Sequence, residues 1–315
     1  MDKKRIIRHV RAEKSAGLFR RADQVRQENC GNTVHIRGII EFSNFCVRSC
    51  TYCGLRRDNT RLRRYRMADK EILDAANTIA ASAIGTVVLQ SGDDPGFSAQ
   101  RLCSLVSRIK HRYPGMAVTL SVGERPRADY RAFRQAGADR YLLKHETANH
   151  KLYEFLHPGQ TLEARIAILQ YLRGIGFEIG AGMIVGLPGQ TFEDLADDIM
   201  LMKSLNVDMA GIGPFIPQQD TPLGDWPAGS LELTLKAIAL ARIALPKANL
   251  PATTAVATLD IHRGLRKALG CGANVIMCNF TPPIFRKHYR IYDNKEKVSL
   301  ETARKFIRAI KRTFI

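Results

Sequence analysis

Short β-rich runs recur eight times along the chain, interleaved with stretches of helical spacing, and no other feature of the sequence limits the fold so tightly. The runs fall at 34–42, 86–91, 117–122, 140–146, 178–185, 209–215, 252–259 and 273–279. Between them, 69–84, 98–113, 162–174, 191–205 and 231–244 place apolar residues at helical intervals. Strands joined by helical crossovers lie parallel, and eight such units predict a closed α/β barrel of the TIM (β/α)8 type. An open doubly wound sheet is the rival. It needs a Gly-rich dinucleotide loop after its first strand, and here a cysteine cluster follows Phe42 instead. Residues 1–30 read as an N-terminal helical extension, with Ile6, Ile7, Val10, Leu18, Phe19 and Val25 set among charges. The barrel is expected over 31–292 and a C-terminal basic helix over 293–315. No Pro-, Gly- or Ser-rich linker separates two domains.

Hydrophobic residues at 45% and charged residues at 25% of 315 exclude a disordered, collagen-like or fibrous chain. No apolar run approaches the roughly 18 residues of a spanning helix. The opening Asp2-Lys3-Lys4-Arg5 interrupts any secretory leader, so a cytoplasmic protein without a membrane partner is expected. Seven cysteines are too few and odd in number for a disulfide framework. The net charge of +18 sits at the ends: residues 1–70 hold 18 Lys/Arg against 7 Asp/Glu, and residues 286–315 hold 10 against 3. The middle is neutral. Basic ends without interleaved aromatics fit a solvated surface or an acidic partner, and nucleic acid is not expected.

Directly after the first run, Cys46, Cys50 and Cys53 lie within eight residues. Spacings of three and two let one loop hold three irons of an iron-sulfur cube and leave the fourth open. A zinc site would want a fourth ligand close by, and a chance run of buried thiols would not explain a place at the mouth of a barrel strand. CxxxCxxC with Tyr52 before the last cysteine closely resembles the signature of the radical S-adenosylmethionine (SAM) enzymes. The resemblance implies one 4Fe-4S cluster whose open iron is chelated by SAM, and reductive cleavage of the sulfonium to methionine and a 5′-deoxyadenosyl radical. It also implies an outside electron donor such as a flavodoxin or ferredoxin. Tyr52 would present its backbone or ring to the adenine.

Gln90-Ser91-Gly92-Asp93 ends the second run, where the superfamily commonly has Gly-Gly-Glu receiving the SAM amino group; a plain turn is the bland reading. Alternation in the fourth run sets Arg140, Leu142, Lys144 and Glu146 on one face. Charged groups cannot enter a dry core alone, so they read as ligand contacts or as an internal salt-bridge network. Glu146 suits a ribose diol or an ammonium, and Arg165 can clamp a carboxylate. His145, on the opposite face, reads as structural. The glycines of 180–189, Gly186 among them, allow a flat adenine to lie on backbone.

Several longer stretches (53–59, 65–67, 141–149, 185–191, 211–217, 251–255 and 271–277) resemble the HydE family of radical SAM maturases of FeFe-hydrogenase, over roughly 30–292. That resemblance implies Cys46, Cys50 and Cys53 as cluster ligands and Glu146 and Arg165 as SAM contacts. Ser121, Thr119, Arg140, Lys144, Met209, Thr253, Thr254, Met277 and Tyr289 match positions facing the cavity or its substrate end. It implies assembly of the diiron subsite, with a cysteine-bound iron carbonyl cyanide precursor as organometallic substrate and companion maturases as partners. Lys144 stands where the family has an arginine, and Cys278 where it has a proline. An amino-acid mutase of the methylornithine-synthase kind is the first alternative, and a non-catalytic iron-sulfur scaffold the second.

Overall fold

The computed structural model describes residues 1–315. Two helices, α1 (Lys3–Arg11) and α2 (Ala16–Cys30), precede β1 (Thr33–Ser43). Then follow α3 (Asp69–Ala81), β2 (Thr86–Ser91), α4 (Ala99–Arg112), β3 (Ala117–Ser121), α5 (Arg127–Gln135), β4 (Arg140–Leu142), α6 (His150–Leu156), α7 (Leu162–Gly174) and β5 (Glu178–Val185). The remainder is α8 (Phe192–Ser204), β6 (Met209–Pro214), α9 (Leu231–Ala244), β7 (Pro251–Ala252), α10 (Thr254–Leu259), α11 (Gly264–Gly270), β8 (Val275–Asn279), α12 (Pro283–Arg286), α13 (Leu300–Ala309) and β9 (Thr313–Phe314).

Eight strands run parallel in the order β6-β5-β4-β3-β2-β1-β8-β7. The seam between β7 and β6 is closed just before β7, where Ala210 N donates to Asn249 O at 3.0 Å and Asn249 N to Asp208 O at 2.8 Å. A parallel sheet wrapped by helices is buried on both faces, and β5 and β6 accordingly bury every residue after Glu178. α1 packs on α8 and α2 on α9. Lys236 of α9 donates to the carbonyls of Val10 and Ala12, which fastens the end of α1 to the barrel wall.

Three stretches depart from the sequence expectation. Of the run 252–259 only Ala252 pairs as strand, together with Pro251 before it; Thr253 Oγ1 accepts from Val256 N and starts α10. A run of Ala, Thr and Val serves either conformation, and the threonine cap decides it. The fourth strand stops at Leu142, although Leu143 N and Glu146 N still donate to the carbonyls of Gly180 and Gly182 at 2.9 Å each. Beyond residue 293 the chain forms more than a helix: β9 pairs in parallel with the start of β1, Thr33 opposite Thr313. No helix is long and apolar enough to cross a membrane.

Candidate active site

β1 delivers the chain to the C-terminal mouth of the barrel, and the loop after it is tied down on several sides. Ser43 Oγ donates to Asp94 Oδ2 at 2.6 Å, Val47 N to Asp93 O at 3.0 Å, Thr51 N to Leu156 O at 3.0 Å, and Gly54 N to Ile291 O at 3.0 Å. The loop lies so close to the end of β2 that a Cβ on Gly92 would come within 2.3 Å of Phe45 O and 2.7 Å of Cys46 Cβ. Cys46, Cys50 and Cys53 all face one cavity of about 400 Å³ at the strand ends. Burial pushes all three thiols up, Cys53 to about 12, and Cys50 well above its ordinary value. Neighbouring sulfurs add to the shift at Cys50 and Cys53.

The cavity gathers most of the residues singled out in the sequence. Gln90, Ser91, Gly92 and Asp93 line it from β2, and Ser121 from β3. Tyr52 contributes its ring, with its hydroxyl 3.2 Å from His157 Nε2. Lys144 and Glu146 stand on the extension of β4, and Arg165 on the first turn of α7. Met209, Thr253, Thr254, Met277 and Tyr289 form the far wall, where Gln90 Nε2 donates to Tyr289 Oη at 3.1 Å.

Three candidates fall outside. Arg140 opens β4 at the opposite end of the barrel, ion-paired with Glu178 and donating to Thr86 Oγ1 at 3.2 Å. Strand parity put it on the right face, but four residues separate it from Lys144, about 13 Å along a strand. Thr119 is fully buried away from the cavity wall, its hydroxyl without a partner. Gly186 makes the turn after β5 at φ +86°, and its N–H donates to Gln190 Oε1 at 2.7 Å. It shapes the rim rather than presenting a face to the cavity.

An ion-pair chain unseen in the sequence joins the cysteine loop to the strand ends. Arg48, inside the loop, donates to Asp93 at 2.6 Å and to Glu124 at 3.1 Å. Glu124 also accepts from Arg165 at 2.7 Å and from Gln160 at 2.9 Å. Arg165 Nη1 donates to Lys144 O at 2.6 Å, and Lys144 Nζ lies 2.8 Å from Glu146 Oε2. Charged residues at 48 and 124, one within the motif and one just past a strand end, were the available signal; their pairing spans 76 positions and leaves no local trace. Glu41 and Lys295 form a second buried ion pair on the wall, and Lys295 Nζ lies 4.7 Å from the Tyr289 ring centroid.

These residues fit an iron-sulfur cube with a polar ligand beside it. Three neighbouring buried thiols resist ionisation together, and iron cations remove both the burial and the repulsion penalty. No three His, Cys, Asp or Glu side chains converge as a single ion needs, so zinc finds no ready site. Glu146 lines the cavity with φ at +64°, and its carboxylate is paired there with Lys144. Backbone strain at a charged residue lining a cavity is what a ligand site shows.

The sequence model of the Radical SAM superfamily matches residues 40–202. The FeFe hydrogenase maturase subunit HydE of Thermotoga maritima is 50% identical over 278 residues, 88% of this chain and 79% of that protein. The 3-methylornithine synthase of Methanosarcina acetivorans is 28% identical over 261 residues, 82% of this chain and 73% of the relative. Among solved structures, methylornithine synthase superposes with a TM-score of 0.88 at 26% identity, over 99% of this chain and 94% of that one. The FeFe-hydrogenase maturase HydG superposes at 0.86 with 16% identity, over 100% of this chain and 72% of that one, a likeness of fold.

Proposed function

The chain belongs to the radical SAM superfamily and, within it, to the HydE family, and from that membership we propose that it acts in building the diiron subsite of FeFe-hydrogenase. The observation that carries the proposal is the cavity itself. One cavity joins the three cysteines to the Lys144–Glu146 pair and to Met209 and Met277. When bound, the 4Fe-4S cluster and SAM supply the superfamily's chemistry, one-electron cleavage of the sulfonium to a 5′-deoxyadenosyl radical.

Cys46, Cys50 and Cys53 hold the cluster, and Glu146 accepts hydrogen bonds from SAM. The chain Asp93–Arg48–Glu124–Arg165 ties the loop to the strand ends. Leu142, Ile184, Met209 and Met277 exclude water from the space into which a radical is released. Lys144 offers positive charge to a cysteine-bound iron carbonyl cyanide substrate. Lys in place of Arg supplies a point charge where a planar fork would fix orientation. A one-electron donor and companion maturases complete the system. Identity of 50% to HydE against 28% to 3-methylornithine synthase favours this reading over an amino-acid mutase. The experiment is in vitro maturation. Anaerobically reconstituted protein added to an extract lacking its own HydE should restore hydrogenase activity, and 3-methylornithine formation without any hydrogenase activity would replace the proposal with the mutase.

A further inference from the structure

Positive charge is concentrated on the surface beside the cysteine loop. Residues 56–66 and 286–290 hold nine Lys/Arg and one Asp. Asn44, two positions before Cys46, binds both segments to the loop: its Nδ2 donates to Arg63 O at 2.9 Å and to His288 O at 2.8 Å, and its Oδ1 accepts from Tyr65 N at 2.7 Å. Arg64 turns inward onto the carbonyls of Asn44, Leu55 and Arg56, which leaves Arg63 facing out. Arg63 and Lys287 are exposed and meet no carboxylate, and Arg290 is loosely opposed by Asp293 at 3.7 Å. All three act on His288, whose ring is held below its ordinary value by burial and then by their charges. Ile284, 65% exposed, adds apolar surface to the same segment.

This rim is fastened to the loop that carries the cluster ligands. Arg64 Nη1 donates to Leu55 O at 2.8 Å, two residues after Cys53 in the same loop. The other cysteines, Cys30, Cys103, Cys271 and Cys278, are free and are not gathered into a second metal-binding group.

We propose that the basic rim centred on Arg63, Lys287 and Arg290 is the docking surface for an acidic one-electron carrier protein of the flavodoxin or ferredoxin kind. The inference rests on the radical SAM reading above. Exposed cations, two of them meeting no carboxylate and the third only a distant one, steer an acidic partner and set its orientation, and transient redox contacts are small enough for a rim of this extent. Nucleic acid would call for aromatics among the cations; the exposed aromatics are Phe155, Phe192 and Trp226, none in these segments.

The test compares two charge reversals in the reconstituted full chain. Arg63→Glu/Lys287→Glu/Arg290→Glu alters the rim, and Lys4→Glu/Arg8→Glu/Arg20→Glu alters the exposed faces of α1 and α2 by the same charge. The probe is an oxidised acidic flavodoxin, its binding measured by calorimetry at about 50 mM and about 300 mM salt, since screening separates contact from steering. The rim variant should lose about tenfold or more in affinity and most of its salt dependence, and the helix variant about twofold or less. Dithionite, which needs no docking, should drive SAM cleavage equally in all three proteins. Equal losses in both variants, or none in either, overturn the docking surface. Tighter binding of a single-stranded oligonucleotide than of flavodoxin, with the same dependence on the rim, also overturns it. Failure of dithionite-driven cleavage in the wild-type protein would instead overturn the radical SAM reading.

Discussion

Glu146 occupies left-handed backbone space at φ +64°, a conformation costing a non-glycine residue on the order of 1–3 kcal/mol. Its N–H is held by Gly182 O and its own carbonyl by Ile184 N, which aims the carboxylate into the cavity. Glu146→Gly should therefore keep the stability of the fold in urea, or raise it by up to about 1 kcal/mol. The same variant should weaken SAM binding by about 1.5–3 kcal/mol in calorimetry. A destabilised protein with unchanged SAM affinity would reverse the assignment. Lys144→Met should retain SAM cleavage but uncouple it, releasing 5′-deoxyadenosine without substrate conversion, while Lys144→Arg keeps much of the coupled turnover. His157 is held neutral by burial, its pKa lowered to about 3. Between about pH 6.5 and 3 the unfolded chain then binds a proton that the folded one does not, so this stability is full above 6.5 and drains as pH falls. Urea midpoints of the His157→Gln apoprotein should vary less with pH across that window than those of the wild type. At this scale, strand parity made Lys144 and Glu146 legible as a pair. It could not give depth, which is why Arg140 went to the wrong end of the barrel.

Elements were legible where period and length agreed. The spans of α7, α9, β2 and β5 coincide with the periodic runs, because each is a regular segment with one buried environment. The runs that mislead are those in which a local cap or a tertiary contact decides. Thr253 turns the seventh run into a helix after two strand residues, and β9 forms because β1 has a free edge at Thr33. Arg312 staples that terminal strand: it is buried, donates to Leu269 O at 2.8 Å and pairs with Asp23 on α2. Arg312→Met should cost about 1–3 kcal/mol by leaving the Leu269 carbonyl unmatched and Asp23 with Arg26 alone. Thermal unfolding would show the loss, and an unchanged midpoint would mean that β9 and α13 add nothing to the barrel.

For the molecule as a whole, barrel, cysteine loop and cavity form one device: the barrel closes a dry space, the loop caps it, and the ion pairs through Arg48 and Glu124 lock cap to wall. Cluster spacing was legible in the sequence because three ligands fall in one loop, whereas the lock depends on contacts the fold alone creates. The most direct measurement is 5′-deoxyadenosine released from anaerobically reconstituted protein with SAM and dithionite, quantified by chromatography beside the single variants Cys46→Ala, Cys50→Ala and Cys53→Ala. The account predicts release by the wild-type protein and none by any variant. Release unchanged in the variants, or none from a wild-type protein carrying a full cluster, would contradict it.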